Sequence, residues 1–294
     1  MKFVDPTTDI AFKKVFGSEH RKIVLIEFLN NVLDLDSPIE DVTLLNPYQA
    51  PPLQGLKPTT LDVRARDALG REFIVEMQVE KETGFHKRVL YYTSKAYVQQ
   101  LDVGEKYHLL RPVLFLGVLD FTIFETSGYL TRHLILNPDT GERTLTDFEF
   151  NFIELPKFPK EEAELRTPTE QWIYFLKNVR NLEVIPASAT SPGLVEAYQM
   201  ANRFGWTREE LDIYEYQGIQ RAKQRDQFET ASRESYEKGL ADGRAAGRAE
   251  GRHGALWETA QRLLEYGMIP ENVAEITGME LAELLAERNS PSQP

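Results

Sequence analysis

Apolar and polar residues in the first part of the chain follow two spacings, and each predicts one kind of element. Apolar residues three to four positions apart predict helices over residues 10–16 and 23–33, because that period keeps them on one helix face. Alternation over residues 60–67 and 72–79 predicts two strands joined by a short turn as a β-hairpin. The core face of that hairpin is expected to carry Leu61, Val63, Val75, Met77 and Val79.

The remaining patterns predict a small mixed sheet flanked by helices and followed by a helical region. Helices are expected over residues 85–103 and from Thr167 onward, and four prolines predict a loop over residues 46–58. Residues 193–294 are expected to be helical throughout. Further strands are expected over residues 41–45, 112–121, 129–136 and 148–155. The predicted fold class is therefore α/β, with an all-α C-terminal region.

Composition excludes several classes of protein. The 294 residues include no cysteine, which excludes a disulfide framework, a thiolate zinc site and a cysteine nucleophile. The N-terminal residues lack the apolar stretch of a signal peptide, and the longest apolar run is too short to span a bilayer. We therefore expect a cytoplasmic protein without a membrane partner.

The net charge of -12 argues against nucleic-acid binding when it is taken over the whole chain. The charge is unevenly distributed, however. Residues 1–135 hold 16 basic and 18 acidic side chains, whereas residues 136–294 hold 18 basic and 28 acidic ones. The acidic surplus lies in the second part, where it favours protein partners, and the first part is nearly neutral.

The hairpin carries the candidate chemistry. If its turn is centred near Leu69, Asp62 faces Glu76 across the two strands, and Gln78 projects from the same face. Two facing carboxylates repel each other, and a hard divalent cation such as Mg²⁺ removes that cost. Such a cation activates a bound water and neutralises charge in a phosphoryl transition state. A shift of register by one residue would separate the carboxylates, and the alternative is an ordinary acidic hairpin with a solvated outer face.

Several motifs follow one another in a characteristic order. They are residues 9–17 (DIAFKKVFG), 61–63 (LDV) and 75–78 (VEMQ), then Phe85, Arg88, Tyr91, Tyr92, Tyr97, Gln100, Leu101, Gly104, Tyr107, Pro112 and Val113. In these residues the chain resembles the Rpn family of recombination-promoting nucleases, also described as transposases, within the PD-(D/E)XK nuclease superfamily. The resemblance covers about residues 5–155.

This resemblance implies a Mg²⁺-dependent DNA endonuclease with a PD-(D/E)XK-like sheet, linked to recombination or to mobile or foreign DNA. Asp62 and Glu76 would bind the metal and, with Gln78, form the catalytic set. Gln78 stands where most of the superfamily has a lysine, so a neighbouring cation would have to supply the positive charge. The basic residues considered for that role or for DNA contact are Lys13, Lys14, Lys87, Arg88 and Lys95, and the further carboxylates considered are Asp9 and Glu19.

The chain is predicted to have four parts. They are a nuclease core over residues 1–160, a helical extension over 161–235, a connector over 236–254 with glycine at every fourth position, and a small helical module over 255–294. Glycines four apart lie along one helix ridge and permit close approach of a second helix, which predicts a homo-oligomer through the C-terminal helices. A loosely ordered charged connector is the alternative for this segment.

Two alternative functions follow from the same residues. One is a catalytically weak or inactive DNA-associated scaffold, and the other is a defence toxin restrained by its C-terminal helices. No phosphate-binding glycine loop is present, since the glycine repeat lacks a preceding strand and a GK[ST] ending.

Overall fold

A computed structural model describes residues 2–49 and 59–288 of the chain. The chain divides into two compact units, Met1–Ile219 and Gln220–Pro294. The first unit contains a sheet and its flanking helices, and the second is helical.

The first unit combines eight strands with five complete helices in the described residues. The helices are α1 (Asp9–Phe16), α2 (Lys22–Val32), α3 (Phe85–Val98), α4 (Pro168–Asn178) and α5 (Pro192–Ala201). The strands are β1 (Val42–Leu44), β2 (Tyr48–Gln49), β3 (Thr59–Thr60), β4 (Val63–Asp67), β5 (Glu72–Gln78), β6 (Val113–Leu119), β7 (Leu130–Leu134) and β8 (Phe148–Glu154). A long helix, α6 (Arg208–Glu265), begins in this unit and ends in the second.

Six strands form one mixed sheet in the order β1-β4-β5-β6-β8-β7. β4 and β5 are the predicted antiparallel hairpin, whereas β5, β6 and β8 run parallel to one another. β1 and β7 are antiparallel edge strands. The structure thus confirms the predicted α/β class: a mixed sheet flanked by helices and followed by a helical region.

The sheet has an apolar cluster on each face. The larger cluster joins the β5 side chains Phe73, Val75 and Met77 to buried residues of α1, α2, α4 and α5. The smaller cluster joins Ile74, on the opposite face of β5, to α3 and β6. β5 is therefore covered on both faces, and its charged side chains lie in the interior. The prediction that Leu61 shares the core face with Val63 is wrong. Leu61 packs in the smaller cluster, whereas Val63 packs in the larger one.

Three element predictions need correction. The helix expected over residues 85–103 ends at Val98. Within the segment expected to be a loop, Tyr48–Gln49 pairs with Thr59–Thr60 as a two-stranded sheet, and residues 50–58 lie outside the described residues. The region from residue 193 onward is not helical throughout, since helices are interrupted at residues 202–207, 266–269 and 278–280.

The second unit contains the rest of α6 with α7 (Pro270–Thr277) and α8 (Leu281–Arg288). Its small core is formed by Ala260, Val273, Met279 and Leu284. The four regularly spaced glycines lie in α6, and a methyl group added to any of them would meet no atom of the described residues within 4 Å. Among the helices in the described part of the chain, none has a stretch both long and apolar enough to cross a bilayer.

Candidate active site

The hairpin register places Asp62 opposite Glu76. Val63 pairs with Val75 and Arg64 with Ile74, which is the register expected from a turn centred near Leu69. Asp62 N–H donates to Glu76 Oε1 at 3.0 Å, and Met77 N–H donates to Asp62 Oδ2 at 2.8 Å. Each carboxylate is thus fixed by the opposite strand through one oxygen.

Both carboxyl groups are removed from water, and this changes their acidity. Glu76 is 5% exposed and Asp62 is largely buried. Burial raises the pKa of Asp62 to about 6. Burial, reinforced by the negative charge of Asp62, raises the pKa of Glu76 to about 8. The surroundings therefore disfavour two ionised carboxylates at once, and without a cation the pair retains a proton on Glu76 at neutral pH.

Gln78 is held from the side opposite to Glu76. Its Oε1 accepts a hydrogen bond from Arg88 Nη2 at 2.5 Å, and Arg88 also pairs with Glu82. Its Nε2 lies 3.5 Å from Glu76 Oε2. Because Arg88 lies on the first turn of α3, this helix fixes which end of the Gln78 amide faces the carboxylates.

Lys13 approaches the carboxylates from α1. Its Nζ lies 2.6 Å from Asp9 Oδ1 and 3.7 Å from Asp62 Oδ1. Burial lowers the pKa of Lys13, but the hydrogen bond and charge of Asp9, with the charges of Asp62 and Glu76, outweigh burial and raise it overall. Lys13 therefore carries its positive charge beside the two carboxylates.

The other basic residues considered in the sequence have different surroundings. Lys14 pairs with Glu210 at 2.5 Å and lies over the Trp206 ring. Lys95 is buried, with its Nζ over the ring of Tyr91, and Lys87 is exposed on α3.

Of the two further carboxylates, Asp9 reaches the site and Glu19 does not join it. The Asp9 side chain forms an ion pair with Lys13, and its charge adds to the effect of burial in raising the pKa of Asp62. Glu19 is exposed on the turn before α2, where it lies 3.6 Å from Lys22. Asp9 and Glu19 are equally plausible from their positions in the sequence, but in the structure Asp9 lies at the site and Glu19 does not.

Two residues of the site have no clear signal in the sequence. Glu82 lies in the connection between β5 and α3 and pairs with Arg88. Tyr92 is half-buried on α3 within electrostatic range of Arg88 and Glu76, and burial raises the pKa of its phenol. A charged residue four to six positions after Gln78 is too common a pattern to identify Glu82 in advance.

The donor set fits a hard divalent cation. Asp62 Oδ2 and Glu76 Oε1 accept backbone N–H bonds, so ligation falls to Asp62 Oδ1 and Glu76 Oε2, whose neighbours Lys13 and Gln78 lie 3.7 and 3.5 Å away. Within residues 2–49 and 59–288 no cluster of three or more His, Asp or Glu side chains could hold a metal ion. Two carboxylates suffice for Mg²⁺, which usually keeps several waters and binds substrate oxygens.

Comparison with known proteins agrees with this geometry. A family model described as "PD-(D/E)XK nuclease family transposase" matches residues 6–231. The matched range is more than half of the chain and includes every residue of the site. No curated protein and no solved structure matches the chain.

Proposed function

The chain belongs to the PD-(D/E)XK nuclease family of transposases, and on that premise we propose that it is a divalent-cation-dependent DNA endonuclease. One observation carries the proposal: Asp62 and Glu76 face each other across the hairpin, buried, with raised pKa values. A purely structural pair would be neutralised by nearby guanidinium groups, as Glu72 is by Arg64 and Arg66 on the same hairpin. Displaced pKa values in a pair of acids are typical of functional sites.

Asp62 and Glu76 would hold the cation, for which Mg²⁺ is the expected ion. When bound, it would supply Lewis-acid stabilisation of the phosphoryl group and lower the pKa of a water. The chain's own contribution begins with positioning. The backbone N–H groups of Asp62 and Met77 each hold one carboxylate oxygen, which restricts the orientation of both carboxylates before a cation binds.

Gln78 would orient the attacking water or a phosphate oxygen. Its amide carbonyl is engaged by Arg88, so its N–H₂ group is the end directed toward Glu76 and the reacting atoms. Arg88 keeps this orientation because Glu82 holds the same guanidinium group. The exposed Lys87 on the same helix would contact a neighbouring phosphate of the DNA strand.

The family membership supports DNA as the substrate and a role in recombination or in handling mobile DNA. The nearly neutral first part of the chain supports it also, since it lacks the acidic surplus of the C-terminal region. We retain homo-oligomerisation through the C-terminal helices as a further proposal, supported by the glycine-lined ridge of α6.

Nicking of supercoiled plasmid tests the proposal. Wild-type protein should convert supercoiled plasmid to open circles in Mg²⁺, and EDTA should abolish this conversion. Asp62→Asn should lose the activity. Lys22→Met, a change on α2 near Glu19 and Asp41, is the control that should retain it. DNA binding without Mg²⁺-dependent nicking would favour the inactive scaffold, and equal nicking by wild type and Asp62→Asn would refute the nuclease.

A further inference from the structure

We propose that Lys13 supplies the positive charge at the reacting phosphate that a glutamine at position 78 does not provide, and that Asp9 is the residue that positions it. This inference rests on the proposed nuclease function and adds two residues to it. It assigns a catalytic role to α1, an element that precedes the hairpin by more than forty residues.

The position of the ammonium group carries the inference. Lys13 Nζ lies 3.7 Å from Asp62 Oδ1, which is the Asp62 oxygen left free by the backbone bond to Oδ2. A phosphate oxygen that takes its place beside Asp62 would therefore lie within reach of the same ammonium. An ammonium keeps its charge throughout the neutral range, so it acts as a fixed electrostatic stabiliser of the phosphoryl transition state.

The backbone that carries Lys13 is rigid. Ala11, Phe12, Val15 and Phe16 of α1 are buried in the main core. This face holds the helix in the core, and Lys13 lies outside it, with its ammonium beside Asp62. A charge on a packed helix is held in place better than one on a loop, which is what transition-state stabilisation needs.

Asp9 limits where the Lys13 side chain can go. The two residues are one helical turn apart, and their 2.6 Å ion pair holds the flexible lysine stem on the side of Asp62. Asp9 would not touch the substrate. Its charge also acts on Asp62, but its effect on the reacting phosphate would pass through Lys13, which makes it a positioning residue.

Among the residues that the structure describes, Arg88 also contacts the candidate site, and its geometry assigns it a different task. Its guanidinium is shared between Gln78 and Glu82, so it reaches the carboxylates through the Gln78 amide. Lys13, by contrast, faces a metal-binding carboxylate directly. Lys14, the neighbour of Lys13 in sequence, is directed to Glu210 and Trp206.

Steady-state cleavage of plasmid DNA in Mg²⁺ tests Lys13. Lys13→Met keeps the length and removes the charge, and it should lower kcat by about a hundredfold or more with little change in KM. Lys13→Arg should keep kcat within about tenfold of wild type, because the charge remains. The double variant Lys13→Met/Gln78→Lys should have a kcat at least about tenfold higher than that of Lys13→Met, because the new lysine returns a cation to the site from the other side. Lys22→Met is the control, and thermal melting checks that each variant is folded.

Asp9→Asn tests the positioning role. Asp9→Asn should lower kcat less than Lys13→Met does. The variant that carries both Asp9→Asn and Lys13→Met should have a kcat no lower than that of Lys13→Met alone. If the fold-reduction in kcat of the double variant equals the product of the two single reductions, Asp9 acts independently of Lys13. That result would overturn the assignment of Asp9 as a positioning residue.

The outcomes separate this inference from the proposed function. If Asp62→Asn is inactive but Lys13→Met keeps wild-type kcat, the nuclease stands and the role of Lys13 is wrong. A Lys13→Arg variant as slow as Lys13→Met would also overturn it, since the charge would then not be what matters. If wild type and Asp62→Asn are equally inactive, the nuclease itself fails.

Discussion

Replacing Glu76 by glutamine should stabilise the metal-free protein at alkaline pH. The pKa of Glu76 is raised from about 4.5 to about 8 by burial and by the charge of Asp62. A carboxyl whose pKa is higher in the folded protein favours folding below the unfolded pKa, and that contribution is lost as pH rises through the folded pKa. The wild type therefore loses stability as pH rises from about 4.5 to about 8, and the full cost is present above pH 8.

The size of this cost follows from the same shift. One pKa unit corresponds to 1.36 kcal/mol, so a displacement of roughly three and a half units amounts to about 5 kcal/mol at high pH. Glutamine has the same shape and its amide oxygen still accepts the Asp62 N–H bond, so Glu76→Gln removes the charge and keeps the contact. We expect the variant to exceed wild type by about 3–5 kcal/mol at pH 9 and by less than about 1 kcal/mol at pH 5.

Urea unfolding in EDTA, at pH 5 and pH 9, measures this difference, with tryptophan fluorescence reporting on Trp172 in the main core. Addition of Mg²⁺ at a hundred times its Kd should stabilise wild type by about 2.7 kcal/mol and leave Glu76→Gln unchanged. Glu76→Gln no more stable than wild type at pH 9 would refute the electrostatic reasoning.

Glu72→Gln is the matched control because Glu72 is buried on the same strand but is paired with Arg64 and Arg66. Removing one partner of a buried ion pair leaves uncompensated charge, so this variant should lose about 3–5 kcal/mol at both pH values. The same chemical change is thus expected to act with opposite sign at two positions four residues apart.

Three further predictions concern the scaffold. Gly117→Ala should cost about 1–3 kcal/mol in urea unfolding, because a methyl group would lie 2.9 Å from the Phe152 ring; an unchanged midpoint would show that the ring moves freely. Gly243→Ala should raise helicity by circular dichroism and stability by about 0.8–1 kcal/mol, whereas destabilisation would reveal another chain packed on that ridge. Thr167→Ala should cost about 1 kcal/mol in the same unfolding assay, since its side chain and Glu170 cap α4 reciprocally; no loss would show that the cap is dispensable.

The hairpin shows how far local sequence determines structure. Alternating residues and a turn ending at Gly70, whose φ of 83° suits glycine, sufficed to predict the register that pairs Val63 with Val75. The juxtaposition of Asp62 and Glu76 follows from that register alone. Its prediction needed only the two strands and the length of the turn.

Contacts between distant elements could not be predicted in this way. Alternation suggested that one face of β5 meets solvent, but α3 covers it, and Glu72 is buried because Arg64 and Arg66 compensate its charge. The approach of Lys13 to Asp62 is likewise set by the packing of α1 on the sheet. The spacing of apolar residues predicts which face of a helix is buried, but it does not predict against which strand that face packs.

The Mg²⁺ dependence of plasmid cleavage by wild type and by Asp62→Asn measures whether Asp62 holds the cation on which cleavage depends. The account predicts a wild-type rate that rises with Mg²⁺ and saturates, and an Asp62→Asn rate lower by about a hundredfold or more at every concentration, since the metal contributes several kcal/mol to the transition state. A variant with the same rate and the same Mg²⁺ dependence as wild type would contradict it.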